Sequence, residues 1–317
     1  MIILTGGAGF IGSNFLRLLN DQGIDDIIVV DNLGSSNKWK NLVGKKFTDY
    51  IHKSKFLDEI HKFKNIDAIF HFGACSRTTE SDIDYLIENN YYYSIELAKF
   101  AIENNAQFIY ASSASTYGNG DQGYSDAIFD ELKPLNGYGY SKHLFDLWVN
   151  AQKLDKVLLG FKFFNVFGPN EYHKQDMSSM VTKAFYQIKE TGKIMLFKSY
   201  NSQYADGNQT RDFIYVKDAN KVIWNFYENN IKGLYNLGTG IARSWNDLAN
   251  AVFKAMGIAP NIEYIDMPEE LKLQYQYATQ ADLTKLRSTG IEIAFNSLED
   301  NVNDYIENYL LNGKLYN

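Results

Sequence analysis

The sequence predicts an α/β protein, a doubly wound parallel sheet with a smaller C-terminal α/β lobe. Three observations carry this reading. Short, wholly apolar β-branched runs alternate with segments of helical periodicity through the first half of the chain. A glycine-rich turn follows the first of those runs directly. Beyond Gly168 and Pro169 the alternation gives way to a more polar, glycine-containing stretch.

The first run, residues 2–5, is a four-residue strand. Phe15, Leu18 and Leu19 fall on one side of a helix over 11–22, and the β-branched run 27–30 is the next strand. These three form one βαβ unit. Residues 66–72, 108–111 and 157–164 are further strands, separated by helices over 83–104 and 140–152. Past Pro169 the pattern predicts a helix over 177–190, a strand over 194–197 and a loop over 198–210. A strand over 211–216, a helix over 218–228 and a strand over 234–237 follow, then helical pieces over 245–256, 275–287 and 298–311. The chain therefore divides into a domain of residues 1–168, rejoined by about 211–237, and a second lobe of 169–210 and 238–317.

Composition narrows the function classes. Of 317 residues, 45% are hydrophobic and 22% charged, so the chain is expected to fold around a sizeable core. The net charge is -7 and no Lys/Arg stripe is dense enough for a phosphate backbone, which argues against a nucleic-acid partner. Cys75 is the one cysteine, so no internal disulfide can form. The apolar opening, residues 1–4, is too short for a signal-peptide core, and nowhere do eighteen apolar residues follow one another. A cytoplasmic protein with no membrane partner and no metal is expected.

Gly7, Gly9 and Gly12 form Gly-x-G-x-x-Gly, and Gly6, Gly9 and Gly12 give a wider spacing. Placed between a strand and a helix, such a turn lets a pyrophosphate approach the backbone and meet the helix N-terminus. Asp31 ends the second strand, where a carboxylate accepts hydrogen bonds from a ribose 2'-hydroxyl. Together these predict a Rossmann-like, NAD(P)-binding first domain. Asp31 favours NAD because it repels a 2'-phosphate; Lys38 and Lys53 follow closely and can offset that repulsion, so NADP stays open.

Tyr138 and Lys142 are four residues apart, on one helical face, and are the chain's one Tyr-x-x-x-Lys pair. Ser112, Ser113, Ser115 and Thr116 close a predicted core strand with a hydroxyl cluster, where ligands of such sheets bind.

The glycine turn, Ser113 and the Tyr138/Lys142 pair resemble the extended short-chain dehydrogenase/reductase family, whose members oxidise, epimerise or dehydrate nucleotide sugars. His71 to Ser76, Phe164 to Pro169, His173-Lys174 and the segment 275–283 resemble more narrowly its ADP-glycero-manno-heptose 6-epimerase branch. The resemblance implies a transient ketone on a nucleotide-activated heptose, with a tightly held nicotinamide cofactor and a homo-oligomeric state. It makes Tyr138 the base that removes the hydroxyl proton as hydride leaves carbon. Ser113 orients the reacting oxygen, and Lys142 grips the nicotinamide ribose and favours the phenolate. Inverting a carbinol needs a proton donor on each face, and Lys174 takes the second role. By the same resemblance Phe10, Ile11, Asn32, Phe72, Gly73, Ala74, Cys75, Ser76, Asn89 and Val166 flank the cofactor. Asn165, Phe197, Arg211 and Tyr275 contact the nucleotide sugar; the planar fork of Arg211 suits a diphosphate.

The sequence also departs from that branch. Residues 197–211 follow a longer pattern than its Phe-Glu-Gly-Ser loop, and Asp176 and Lys183 stand where a serine and a histidine contact substrate. These departures leave open an NAD-dependent dehydrogenase that delivers a 4-keto sugar from a GDP-linked heptose. They also leave open, more remotely, a non-catalytic NAD(P)-sensing regulator, although such proteins typically lose the Tyr and Lys retained here.

Overall fold

The computed structural model describes residues 1–272 and 275–317. The strands, in chain order, are β1 (Ile2–Thr5), β2 (Ile27–Asp31), β3 (Asp49–His52), β4 (Ala68–His71), β5 (Gln107–Ser113) and β6 (Leu159–Phe163). They continue with β7 (Asn165–Phe167), β8 (Ile194–Phe197), β9 (Thr210–Tyr215), β10 (Gly233–Leu237), β11 (Ala242–Ser244) and β12 (Ile262–Ile265). Seven of them pair, all parallel, in the order β10-β6-β5-β4-β1-β2-β3. The order reverses beside β1, and the strands' carboxyl ends there open a crevice, the place where such sheets bind ligands.

The helices that cover the sheet follow from its two apolar faces. Ile2, Leu4 and Phe70 point into one cluster and Ile3, Ile28 and Ile69 into the other, so every core strand is buried on both sides. Helices α1 (Phe10–Asp21), α2 (Lys53–Glu59), α3 (Ile83–Ile87), α4 (Tyr93–Glu103), α5 (Gly137–Ala151), α6 (Met180–Thr191), α7 (Val216–Glu228) and α8 (Trp245–Ala255) carry complementary apolar stripes. Phe15 of α1 and Phe226 of α7 join the first cluster, and Leu97 of α4 and Phe145 of α5 the second. A third cluster, with Phe185, Phe253, Val302 and Tyr305, lies in the chain beyond Phe167. It packs α6 and α8 against β9, a strand of the small β11-β9-β7 sheet, while β8 and β12 pair separately. The return to the large sheet is made by α7 and β10, since β9 itself pairs within the small sheet.

Four elements differ from the sequence expectation, one of them the helix expected over 298–311, which is α-helical to Tyr305 and a π turn over Ile306–Leu310. The helix expected over 83–104 is interrupted at Glu88–Tyr92 by a π turn. The helix expected from 177 starts at Met180, because Tyr172–Met177 form a 3-10 segment with Gln175 at φ 48°. Residues 275–283 are extended instead of helical, and the helix there is confined to Thr284–Arg287. The edge of β9 dictates this: Thr210 N–H donates to the Tyr277 carbonyl (2.9 Å), and Thr279 N–H donates to the Thr210 carbonyl (3.2 Å). The short elements β3, α2, β7, β11 and β12 were not legible from periodicity.

Candidate active site

The glycine turn runs from the end of β1 into α1 and is built for close backbone approach. Gly6 has φ +71°, and a side chain there would place Cβ 2.6 Å from the Gly73 nitrogen. At Gly12 a Cβ would lie 2.2 Å from the Gly6 carbonyl oxygen. Both positions exclude a side chain because strand, turn and helix pack backbone to backbone there, and Gly6, Gly9 and Gly12 line the cleft, where a pyrophosphate can approach the helix N-terminus. The residues present therefore fit a dinucleotide.

At the adenosine end a pocket of about 220 Å³ is lined by Asp31, Asn32, Lys38, Lys53, Cys75 and Asn89, among others. Asp31 is buried; one carboxylate oxygen accepts the Ala8 N–H at 2.8 Å and the other pairs with Lys38 Nζ at 2.6 Å. Lys53 Nζ donates to the Asn89 side-chain oxygen Oδ1. Asn89 reaches this pocket from the π turn, and its neighbour Asn90 turns fully inward. Asn90 accepts the Cys75 N–H (2.8 Å) and donates to the Cys75 carbonyl (2.9 Å) and the Ser141 hydroxyl (2.9 Å). An extra residue in one helical turn sets two adjacent asparagines to two tasks, a use for which π bulges are known.

A larger cleft of about 610 Å³ continues from this pocket and shares Gly6, Asp31, Lys38, Gly73 and Ala74 with it. Ser113, Tyr138, Lys142 and Lys174 all line it. So do Gly9, Phe10, Ile11, Gly12, Phe72, Ser76, Asn165 and Val166. Tyr138 enters in the first turn of α5, whose start is fixed by the Asn136 side chain accepting the Gly139 N–H at 2.8 Å. Lys142 stands one turn on. Ser113 closes β5, with its hydroxyl accepting the Ser115 N–H at 3.1 Å.

Electrostatics sort these groups. Burial raises the proton affinity of Tyr138, and the Ser113 hydroxyl works against that. Burial lowers Lys142 to about 8, with the Asp146 carboxylate opposing the shift. His71, behind β4, is brought down to about 3 by burial and by Lys142, so it is neutral and structural. Its ring nitrogens bond the Thr5 and Ser94 hydroxyls at 2.7 and 2.8 Å.

Lys174 is presented by the 3-10 segment that follows β7. Glu171, fully buried, anchors that segment to α6 by accepting the Ser179 N–H (2.6 Å) and the Thr182 hydroxyl (2.7 Å). Lys174 Nζ lies 5.3 Å from the centre of the Phe10 ring, and burial lowers its proton affinity. His173 also lines the cleft and is held near 4 by burial and by Lys38 and Lys174. Arg77, Gln175, Met177, Ser178 and Ser179 are cleft residues that sequence reasoning did not assign. Arg77 lies on a loop and Gln175 and Met177 in the 3-10 segment, while 177–179 were expected inside a helix that in fact starts at Met180; no motif marks any of them.

The remaining sequence candidates stand apart from the cleft lining. Asp176 and Lys183 are exposed. Phe197 closes β8, and Arg211 lies in β9 with its guanidinium 5.4 Å from the Trp245 ring centre and 5.3 Å from that of Tyr275. Tyr275 in turn accepts the Trp245 indole N–H at 3.0 Å. Arg211 makes no ion pair among the described residues, because the neighbouring Asp212 accepts the N–H groups of Thr239, Gly240 and Ala281. A buried guanidinium held between two aromatic rings stays charged. Among the described residues no cluster of three potential metal ligands is present.

A doubly wound sheet with a glycine cradle, a strand-end serine and a Tyr-x-x-x-Lys helix defines a nicotinamide-dependent nucleotide-sugar enzyme. Residues 2–238 match the model of the NAD dependent epimerase/dehydratase family, and the chain belongs to that family. It is 52% identical over 316 residues to the ADP-L-glycero-D-manno-heptose-6-epimerase of Nitratidesulfovibrio vulgaris, covering 98% of each chain. It is 46% identical over 325 residues to the enzyme of the same name from Fusobacterium nucleatum, again covering 98% of each. The crystal structure of the Helicobacter pylori ADP-L-glycero-D-manno-heptose-6-epimerase superposes with a TM-score of 0.84 at 29% identity, over 97% of this chain and 95% of that one.

Proposed function

We propose that the protein inverts the C6 carbinol of an ADP-activated glycero-manno-heptose. The observation that carries this reading is the convergence of Ser113, Tyr138, Lys142 and Lys174 on one cleft that continues into the dinucleotide cradle. When bound, the nicotinamide supplies the redox chemistry, taking a hydride from the carbinol carbon and returning it to the other face of the transient ketone. Tyr138 takes the hydroxyl proton, and Lys142, protonated at neutral pH, favours its phenolate. Ser113 holds the reacting oxygen in line. Lys174 lies on a different element from Tyr138 and serves the ketone in its turned orientation. Its lowered proton affinity suits a group that must release a proton.

Residues 1–168, rejoined at about 211–237, are assigned to the cofactor, and 169–210 with 238–317 to the sugar nucleotide. Arg211 and Tyr275 are placed on its diphosphate and base, with Phe197, Asp176 and Lys183 as outer contacts. Because Lys38 neutralises Asp31 directly and Lys53 lines the same pocket, the cradle accepts a 2'-phosphate as well as a free 2'-hydroxyl. A homo-oligomeric, cytoplasmic enzyme completes the proposal; no helix among the described residues is long and apolar enough to cross a membrane. Relatives 52% and 46% identical over nearly the whole chain are ADP-L-glycero-D-manno-heptose-6-epimerases by name, which favours the epimerase over a GDP-heptose dehydrogenase.

Substrate deuterated at C6 tests the chemistry. Transfer through the nicotinamide keeps the label in the epimer; loss of the label to water would mean deprotonation at carbon and would overturn the mechanism.

A further inference from the structure

Behind the catalytic helix lies a charged group that the mechanism above does not use. Asp146 of α5 and Lys162 of β6 are both fully buried and form an ion pair of 2.7 Å. The same carboxylate oxygen accepts the Ser112 hydroxyl at 2.7 Å, while the other oxygen has no hydrogen-bond partner among the described residues. Lys162 Nζ also donates to the Thr116 hydroxyl at 2.7 Å, and Thr116 in turn donates to the Ser113 carbonyl at 2.8 Å. The pair thus grips the backbone on both sides of Ser113, through the Ser112 side chain and through the Ser113 carbonyl. It does so from a position one helical turn beyond Lys142.

We propose that Asp146 and Lys162 are positioning residues for the reaction, fixing the Ser113 strand end against α5 and setting a counter-charge one helical turn from Lys142. The inference rests on the catalytic reading of Ser113, Tyr138 and Lys142. Burial of two charges is costly, and such pairs are better attested as devices of placement than of stability. This pair sits where placement matters.

The charges around the pair give its effect a sign. Asp146 faces Lys162 and Phe161's strand β6, Tyr110 of β5, Tyr117 beyond it, and Lys142, His143 and Tyr138 of α5. Lys142 additionally faces His71 of β4, which is neutral. Of these, Asp146 is the charge that opposes the desolvation of Lys142. Removing it lowers the pH at which Lys142 loses its proton. Removing it with Lys162 left in place lowers that pH further, because an unpaired ammonium remains nearby.

The test is carbon-13 NMR of the full chain after reductive methylation of lysines, with the Lys142 signal identified by its absence from Lys142→Met. Asp146→Asn is measured beside the neutral double variant Asp146→Asn/Lys162→Met, which leaves no unpaired buried charge and keeps the test open if the single variant does not fold. The Lys142 midpoint is expected to fall in the order wild type, double variant, single variant, by about one pH unit for the double. The turnover number of each folded variant should fall roughly tenfold or more while KM changes less than about threefold. A Lys142 midpoint unmoved in the folded double variant overturns the proposal, since lost packing alone does not move a titration. If the wild type fails to epimerise the ADP-heptose while the midpoint still moves, the substrate assignment fails and the positioning of Lys142 stands.

Discussion

Lys142 is pulled in two directions, by burial that strips its proton and by Asp146 that retains it, and the balance leaves it near 8. Its folded-state value lies below the ordinary lysine range, so the ammonium is present below about pH 8 and is lost as pH rises through it. Cofactor affinity is accordingly expected to hold steady at neutral pH and to fall above about pH 8. Titration of bound nicotinamide by fluorescence checks this, and Lys142→Met should bind weakly with no such fall. Tyr138→Phe and Lys174→Met are each expected to lower epimer formation by at least about 100-fold. Neither replaces a glycine of the turn, so both should purify with bound cofactor; full activity in Lys174→Met would remove its assignment as the second acid/base group. Lys38 is the direct partner of Asp31. Lys38→Ala should weaken NADP binding by about 10-fold or more and NAD binding far less, read by calorimetry with each dinucleotide.

At the scale of elements, the β1–turn–α1 unit was legible because every signal agreed. An apolar β-branched run, three spaced glycines and an amphipathic helix point to one structure, and residues 2–5 and 27–30 fall within the observed strands. Gly12→Ala tests the cradle. Its Cβ would meet the Gly6 carbonyl at 2.2 Å, so the turn must open. Cofactor affinity is expected to drop by at least about 10-fold in a protein that still folds, measured by cofactor retained on purification and by circular dichroism. The π turn at Glu88–Tyr92 was not legible, since its sequence has ordinary helical periodicity and the bulge is set by Asn90 bonding across to Cys75 and Ser141. The extended segment 275–283 was misread for the reverse reason. Its alternation of Tyr275, Gln276 and Tyr277 has a period of two, but the partner that makes it extended, Thr210 of β9, is 65 or more residues away in sequence.

For the whole molecule, the doubly wound sheet was legible in the chain, and so were the strand-end Ser113 and the Tyr138/Lys142 pair, because strand ends and a Tyr-x-x-x-Lys helix converge wherever that sheet forms; Lys174, a lone lysine in a polar segment, was marked by the family resemblance alone. The far wall of the cleft was not legible. Gln175 and Ser178 come from an irregular segment whose path is set by side-chain anchoring, Glu171 binding Ser179 and Thr182, and Arg77 from a loop after β4; neither carries a periodic pattern. Arg211 of β9 and the 275–283 segment, which the proposal gives to the sugar nucleotide, are brought together by the small β11-β9-β7 sheet and the backbone bonds along its β9 strand, and no local pattern announces that pairing. The most direct test of the whole assignment is proton NMR of the purified protein with equimolar ADP- and GDP-D-glycero-D-manno-heptose and no added cofactor. Conversion of the ADP sugar alone to its L-glycero epimer, at catalytic protein levels, is the expected result. A stoichiometric keto product from the GDP sugar, with the ADP sugar unchanged, would contradict it.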